Sequence, residues 1–179
     1  MNSKYFQISL LLILLAIPLK SIGQKNKKGI EIFILDIPNP ILSSPRYKAC
    51  YCCITINEST ISEKPIITEN EIETFDWNRQ IITLNELGKK SISDLDFSKS
   101  GVYGIPALLA LNKQPIYYFM IFPFGSSVGC DRVYTYIDKN GKIALYFGIG
   151  KEENRMQYGF DPRFHKGLEL YIKDVYYHN

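Results

Sequence analysis

Apolar positions in this chain come as short runs divided by turn residues, which predicts many short strands and few helices. Gly29 to Leu35 alternates weakly and reads as a first strand. Pro38, Pro40 and Pro45 force an irregular connection, Tyr47 to Ile56 reads as a second extended stretch, and Asn57 to Pro65 is polar loop. Glu73 to Trp77 and Gln80 to Leu84 are two short extended pieces around Asn78-Arg79. Thr83 and Glu86 have capping-box spacing and open a helix from about Leu84 to Leu95. Leu84, Leu87, Ile92 and Leu95 are its apolar face, and Gly88 weakens it. Ile105 to Leu111 is almost continuously apolar, as in a strand covered on both faces. Asn112-Lys113-Gln114 turns the chain and Pro115 to Pro123 returns it. A second hairpin joins Asp131 to Ile137 with Lys142 to Phe147 around Asp138-Lys139-Asn140-Gly141. Asp161 caps and Pro162 starts a last helix, running to about Lys173. The expected class is α+β, a mainly antiparallel sheet with two helices.

The first apolar run has another meaning. Lys4 precedes Ile8 to Leu19, and Ser21-Ile22-Gly23 follows with small residues, the order of a secretory signal peptide. A spanning helix needs roughly 20 apolar residues, and Pro18 and Lys20 break this run. The expected division is a signal peptide over 1–23, cleaved at Gly23-Gln24, then 24–66 packed as one domain with 67–179. The expected location is periplasmic or extracellular, with no membrane insertion after cleavage.

Charge adds an exclusion. The net charge of the full chain is +3; removing Lys4 and Lys20 leaves 19 basic against 18 acidic side chains, a balance of +1. That gives no electrostatic basis for nucleic-acid binding. Cys50, Cys52, Cys53 and Cys130 are disulfide candidates in an exported chain, with three full pairings open. Cys-x-Cys-Cys with distant His165 and His178 is not zinc-ligand spacing, so neither a metal nor another cofactor is expected.

The segment Ile67 to Leu84, the following Glu86 and Gly88, and Gly104 to Tyr117 together resemble the head subdomain of the first periplasmic domain of SecD, a subunit of the bacterial protein-export machinery. The chain is also similar to small exported stand-alone proteins carrying that module, through the Gly125-Ser126-Ser127-Val128-Gly129-Cys130 loop and Asp161-Pro162-Arg163. The resemblance spans about Ile67 to Lys173. Its hairpin turn lacks the usual Gly, and nothing matches the membrane-spanning part of SecD. It implies an envelope-located α+β module and carries no translocation motor role.

Candidate chemistry is sparse. Cys130 and His165 are the best nucleophile–base pair for a thiol-dependent or hydrolytic enzyme, although no local signature surrounds them. Ser126 and Ser127 lie in a Gly-flanked loop without a Gly-x-Ser-x-Gly elbow. With Phe124 they form a candidate contact loop, and Trp77 is a candidate anchor or core residue. Glu69, Glu71, Glu73 and Asp76 read as a solvated acidic face rather than a calcium or acid–base site. The expected function is an exported, non-catalytic binding or accessory module for a protein or peptide of the cell envelope. The alternatives are the Cys130/His165 enzyme and a structural envelope protein without fixed ligand. A sheet edge or the Phe124 to Cys130 loop is the expected contact surface.

Overall fold

The computed structural model describes residues 29–36, 61–100, 103–127, 130–138, 140–149 and 159–177. The leader, the stretch Tyr47 to Ile56, and Cys50, Cys52 and Cys53 lie outside them. In chain order the elements are β1 (Ile30–Ile34), β2 (Ile67–Thr68), β3 (Ile72–Asp76), β4 (Ile81–Leu84), α1 (Glu86–Ser93), β5 (Ile105–Leu111), β6 (Gln114–Phe122), β7 (Val133–Tyr136), β8 (Lys142–Ala144), β9 (Tyr146–Phe147) and α2 (Lys166–Tyr176). The fold is α+β, as the patterning predicts. The strands form two sheets, ordered β2-β1-β5-β6-β7-β9 and β3-β4-β8. All pairings are antiparallel except β6 with β7, because the connection over 123–132 carries the chain back to start beside β6.

The continuous apolar run forms β5, at the middle of the larger sheet and paired to β1 and β6. One of its faces sends Ile105, Ala107 and Leu109 into the main core, with Phe75, Ile82, Leu84, Ile92, Leu168 and Ile172 from the second sheet and the helices. The other sends Leu108 and Ala110 into a smaller cluster. The β5–β6 turn is two residues, Asn112 and Lys113, with φ of 53° and 66°. Both are left-handed, as a type I′ hairpin requires. The Lys113 N–H donates to Glu31 Oε2 at 3.0 Å.

Helix α1 is shorter than the pattern suggests. Its N-cap is Asn85, whose Oδ1 accepts from Leu87 N and Gly88 N, and Thr83 stays in β4. Leu87 is not on the buried face; it is 67% exposed. Gly88 takes that place because a Cβ there would stand 2.8 Å from Glu71 O. The inward positions of α1 are therefore Gly88 and Ile92, flanked by Leu84 at the end of β4 and Leu95 beyond the helix, and the glycine that lowers helix propensity is what permits close packing. The predicted last helix is two pieces. Asp161 caps a 3-10 turn, Pro162–Phe164, and α2 begins after His165 and runs to Tyr176.

The second predicted hairpin forms only at its base, where Val133 pairs with Phe147 and Tyr134 with Tyr146. Towards its tip β8 leaves β7 and joins β4 in the other sheet, with Ile82 opposite Ile143. One stretch of chain thus passes from the small sheet to the large one, bending at Leu145.

Candidate functional site

The ladder between β4 and β8 runs Thr83–Lys142, Ile82–Ile143, Ile81–Ala144 and ends on Gln80, whose carbonyl accepts from Leu145 N at 2.9 Å. Gln80 then takes a left-handed φ of 55°. This turns the chain into Trp77–Gln80 and away from the ladder, while β8 continues into β9. Beside Tyr146 and Phe147, where a neighbouring strand would lie, there is instead a cleft of ≈ 640 Å³. Asn78, Arg79 and Gln80 line one side and Phe160, Arg163 and Phe164 another.

Gln80 is unusual in three respects. An L-residue in this conformation costs on the order of 1 kcal/mol. Its side chain is almost fully buried. Its Nε2 donates to Trp77 O at 2.8 Å, but Oε1 has no hydrogen-bond partner among the described residues. Buried polar groups are normally answered, and a strained, unanswered one marks a site for functional scrutiny.

Arg163 closes the other wall. It is buried and forms a two-pronged pair with Asp161, Nε to Oδ1 at 2.9 Å and Nη2 to Oδ2 at 2.6 Å. Nη1 donates to Leu145 O at 2.6 Å, so both main-chain groups of Leu145 are held, one by Gln80 and one by Arg163. Its guanidinium carbon lies 5.9 Å from the Phe147 ring centroid and 5.5 Å from that of Phe164. The nearby Tyr117 phenol is buried without a hydrogen-bond partner among the described residues. Burial pushes its pKa up; Arg163 opposes this and Asp161 adds to it.

The rim is apolar. Phe160 is 82% exposed, Phe164 46% and Tyr146 42%. Tyr146 also stacks on Tyr134 at 5.4 Å, which extends the aromatic surface from the cleft across the end of the sheet. Compared with protein-family models, curated proteins and solved structures, the chain matches none. The site therefore rests on its geometry.

The residues singled out in the sequence are dispersed. Trp77 is buried, edge-on to Phe164 at 5.6 Å, so it supports the cleft wall from beneath. Phe124 is exposed, and Ser126 N donates to Pro123 O, which makes the Phe124–Ser126–Ser127 region a surface turn. Cys130 is wholly buried against Met120 and Phe122 and is disulfide-bonded, with its partner outside the described residues. A disulfide sulfur carries no thiolate, and His165 is an exposed cap residue whose side chain makes no capping bond. The acidic residues also separate. Glu69 accepts from Ile30 N and the Tyr176 hydroxyl. Glu71 accepts from Thr68 and Ser91, and Asp76 accepts from Arg79 N. Glu73 is exposed. Among the described residues no three metal-ligating side chains cluster.

Sequence reading missed Gln80, Tyr146, Phe147, Phe160 and Phe164. The available signal was Phe160-Asp161-Pro162-Arg163-Phe164, an acid–base pair two residues apart between aromatic side chains. Nothing local marks Gln80.

Proposed function

We propose that this chain is an exported, non-catalytic binding module that holds a protein or peptide in the cell envelope, on a scaffold resembling the SecD head. The observation that carries this reading is the cleft beside β9, with Phe160, Phe164 and Tyr146 exposed around one opening. Exposed aromatic groups gathered at a concave site are characteristic of recognition surfaces. Export is supported by the signal-peptide pattern and by the disulfide-bonded Cys130, which suits an oxidising compartment. No helix among the described residues is long and apolar enough to cross a membrane.

Photo-crosslinking in the native envelope tests this, with p-benzoylphenylalanine placed at Phe160 in one variant and at Phe124 in another. A discrete adduct from position 160 and none from 124 is expected. An adduct only from 124 transfers the site to the serine loop. The absence of adducts from both contradicts the binding-module reading.

A further inference from the structure

The main-chain geometry beside the cleft says how a ligand would be held. Gly148 N donates to Arg132 O at 3.2 Å, which makes Arg132 and Gly148 a hydrogen-bonded position of the β7–β9 ladder. In an antiparallel ladder such positions alternate, so Tyr134 and Tyr146 are the next one. Val133 and Phe147, between them, are a non-hydrogen-bonded position, and the N–H and C=O of Phe147 point away from β7. Among the described residues β9 is the terminal strand of its sheet. The outward groups of Phe147 therefore face the side from which β4 has turned away, where the cleft lies. Leu145, the preceding outward position, is already closed by Gln80 and Arg163. Among the described residues Phe147 is the one open position of this edge, because Gly148 follows with φ of 71° and ends the strand and Ile149 has a partner of its own.

Resting on the binding-module reading, we infer that the Phe147 edge of β9 accepts an extended peptide as an added strand, with an aromatic or long aliphatic side chain seated between Phe160, Phe164 and Tyr146. Main-chain pairing supplies hydrogen bonds that any sequence can make, and the alternate side chain entering the cleft supplies selectivity. Arg163 is answered by Asp161, and Arg79 is an exposed cation of the lining with Asp76 Oδ2 3.8 Å from its Nε, so an acidic residue flanking the apolar one meets Arg79 and its advantage over a basic one is small. The short strand and the bound Arg163 limit the added strand to a few residues, which protects the edge from indiscriminate pairing.

The probe is a capped octapeptide of alternating Thr and Phe with Glu at one end, titrated against oxidised protein beginning at Gln24. Its comparators replace Phe by Ser, replace Glu by Lys, or N-methylate alternate amides. Strand addition predicts at least tenfold weaker binding for the Ser and N-methyl peptides and a smaller loss for Lys. Phe160→Ser, at a highly exposed position, should weaken binding without changing the thermal midpoint. If N-methylation has no effect while Phe160→Ser still weakens binding, strand addition is overturned and the cleft reading survives. If neither the peptide changes nor Phe160→Ser alters binding, both fall. A free protein whose Phe147 amide is already protected from exchange has its edge occupied by its own chain, which also overturns the inference.

Discussion

Two polar clusters tie this molecule together, and they differ in completeness. At one end Glu69 receives the first N–H of β1 and the hydroxyl of Tyr176 from α2, and Glu71 receives Thr68 and Ser91. These carboxylates end on donors, and neither lines the cleft. At the other end Arg163 is held by Asp161 and Leu145 O, yet Gln80 Oε1 and the Tyr117 hydroxyl have no hydrogen-bond partner among the described residues. The first cluster is architecture. The second combines strain, an unanswered buried oxygen and an aromatic-rimmed cleft, a combination that folding alone does not require.

Replacing Arg163 should separate the clusters most strongly. Arg163→Met leaves Asp161 without its cation and Leu145 O without its donor, and should cost roughly 3 kcal/mol, since breaking a largely buried pair by removing one member is expensive. Urea unfolding would show it, and a loss under 1 kcal/mol would mean the pair is solvated. Glu69→Ala should cost about 2 kcal/mol by stranding Ile30 N and the Tyr176 hydroxyl.

The Glu69 end should also be sensitive to alkali. Burial, followed by the Glu69 carboxylate, pushes the Tyr171 phenol up to about 12, and Tyr176 is raised for the same reasons. An unfolded phenol ionises near ~10, so above that pH the folded state retains protons that the unfolded chain has released. Stability is fully present below pH ~10 and falls as pH rises towards ~12. The Tyr171→Phe/Tyr176→Phe double variant should decline less steeply in urea midpoints measured across that window. An identical slope would remove these tyrosines from the account.

Smaller effects separate strain from contact. Gln80→Ala keeps the left-handed strain and loses the bond to Trp77 O, whereas Gln80→Gly loses the bond but relieves the strain. The glycine variant should be the more stable by about 1 kcal/mol, the reverse of the usual order in regular structure. Lys113→Gly in the β5–β6 turn should stabilise by somewhat less than ~1 kcal/mol, because a type I′ turn favours Asn-Gly.

Much of the fold was legible because it follows from local periodicity. The run Ile105 to Leu111 and its return strand appear in the structure as a two-residue hairpin, despite the absence of glycine at Asn112-Lys113. What was not legible depended on distant chain. Thr83–Glu86 has the spacing of a cap, but Thr83 is held in a ladder with Lys142, so the neighbouring Asn85 caps the helix instead. The Asn-Gly cue placed the turn before β8 but could not reveal that β4 would compete with β7 for the returning strand. The cleft is a product of that competition. Its residues come from three separated stretches, and its key conformation, a left-handed Gln80, has no compositional signature. The serine loop drew attention because glycine and serine are conspicuous in sequence; such residues report flexibility of turns more reliably than they report binding.

The central claim is that the β9 edge is open at Phe147 and closed at Leu145. Amide hydrogen exchange in the ligand-free, oxidised protein measures both positions together. The account predicts strong protection of the Leu145 amide, which donates to Gln80 O, and much faster exchange at Phe147. Equal protection at the two amides would show that the edge is already paired, and would contradict the account.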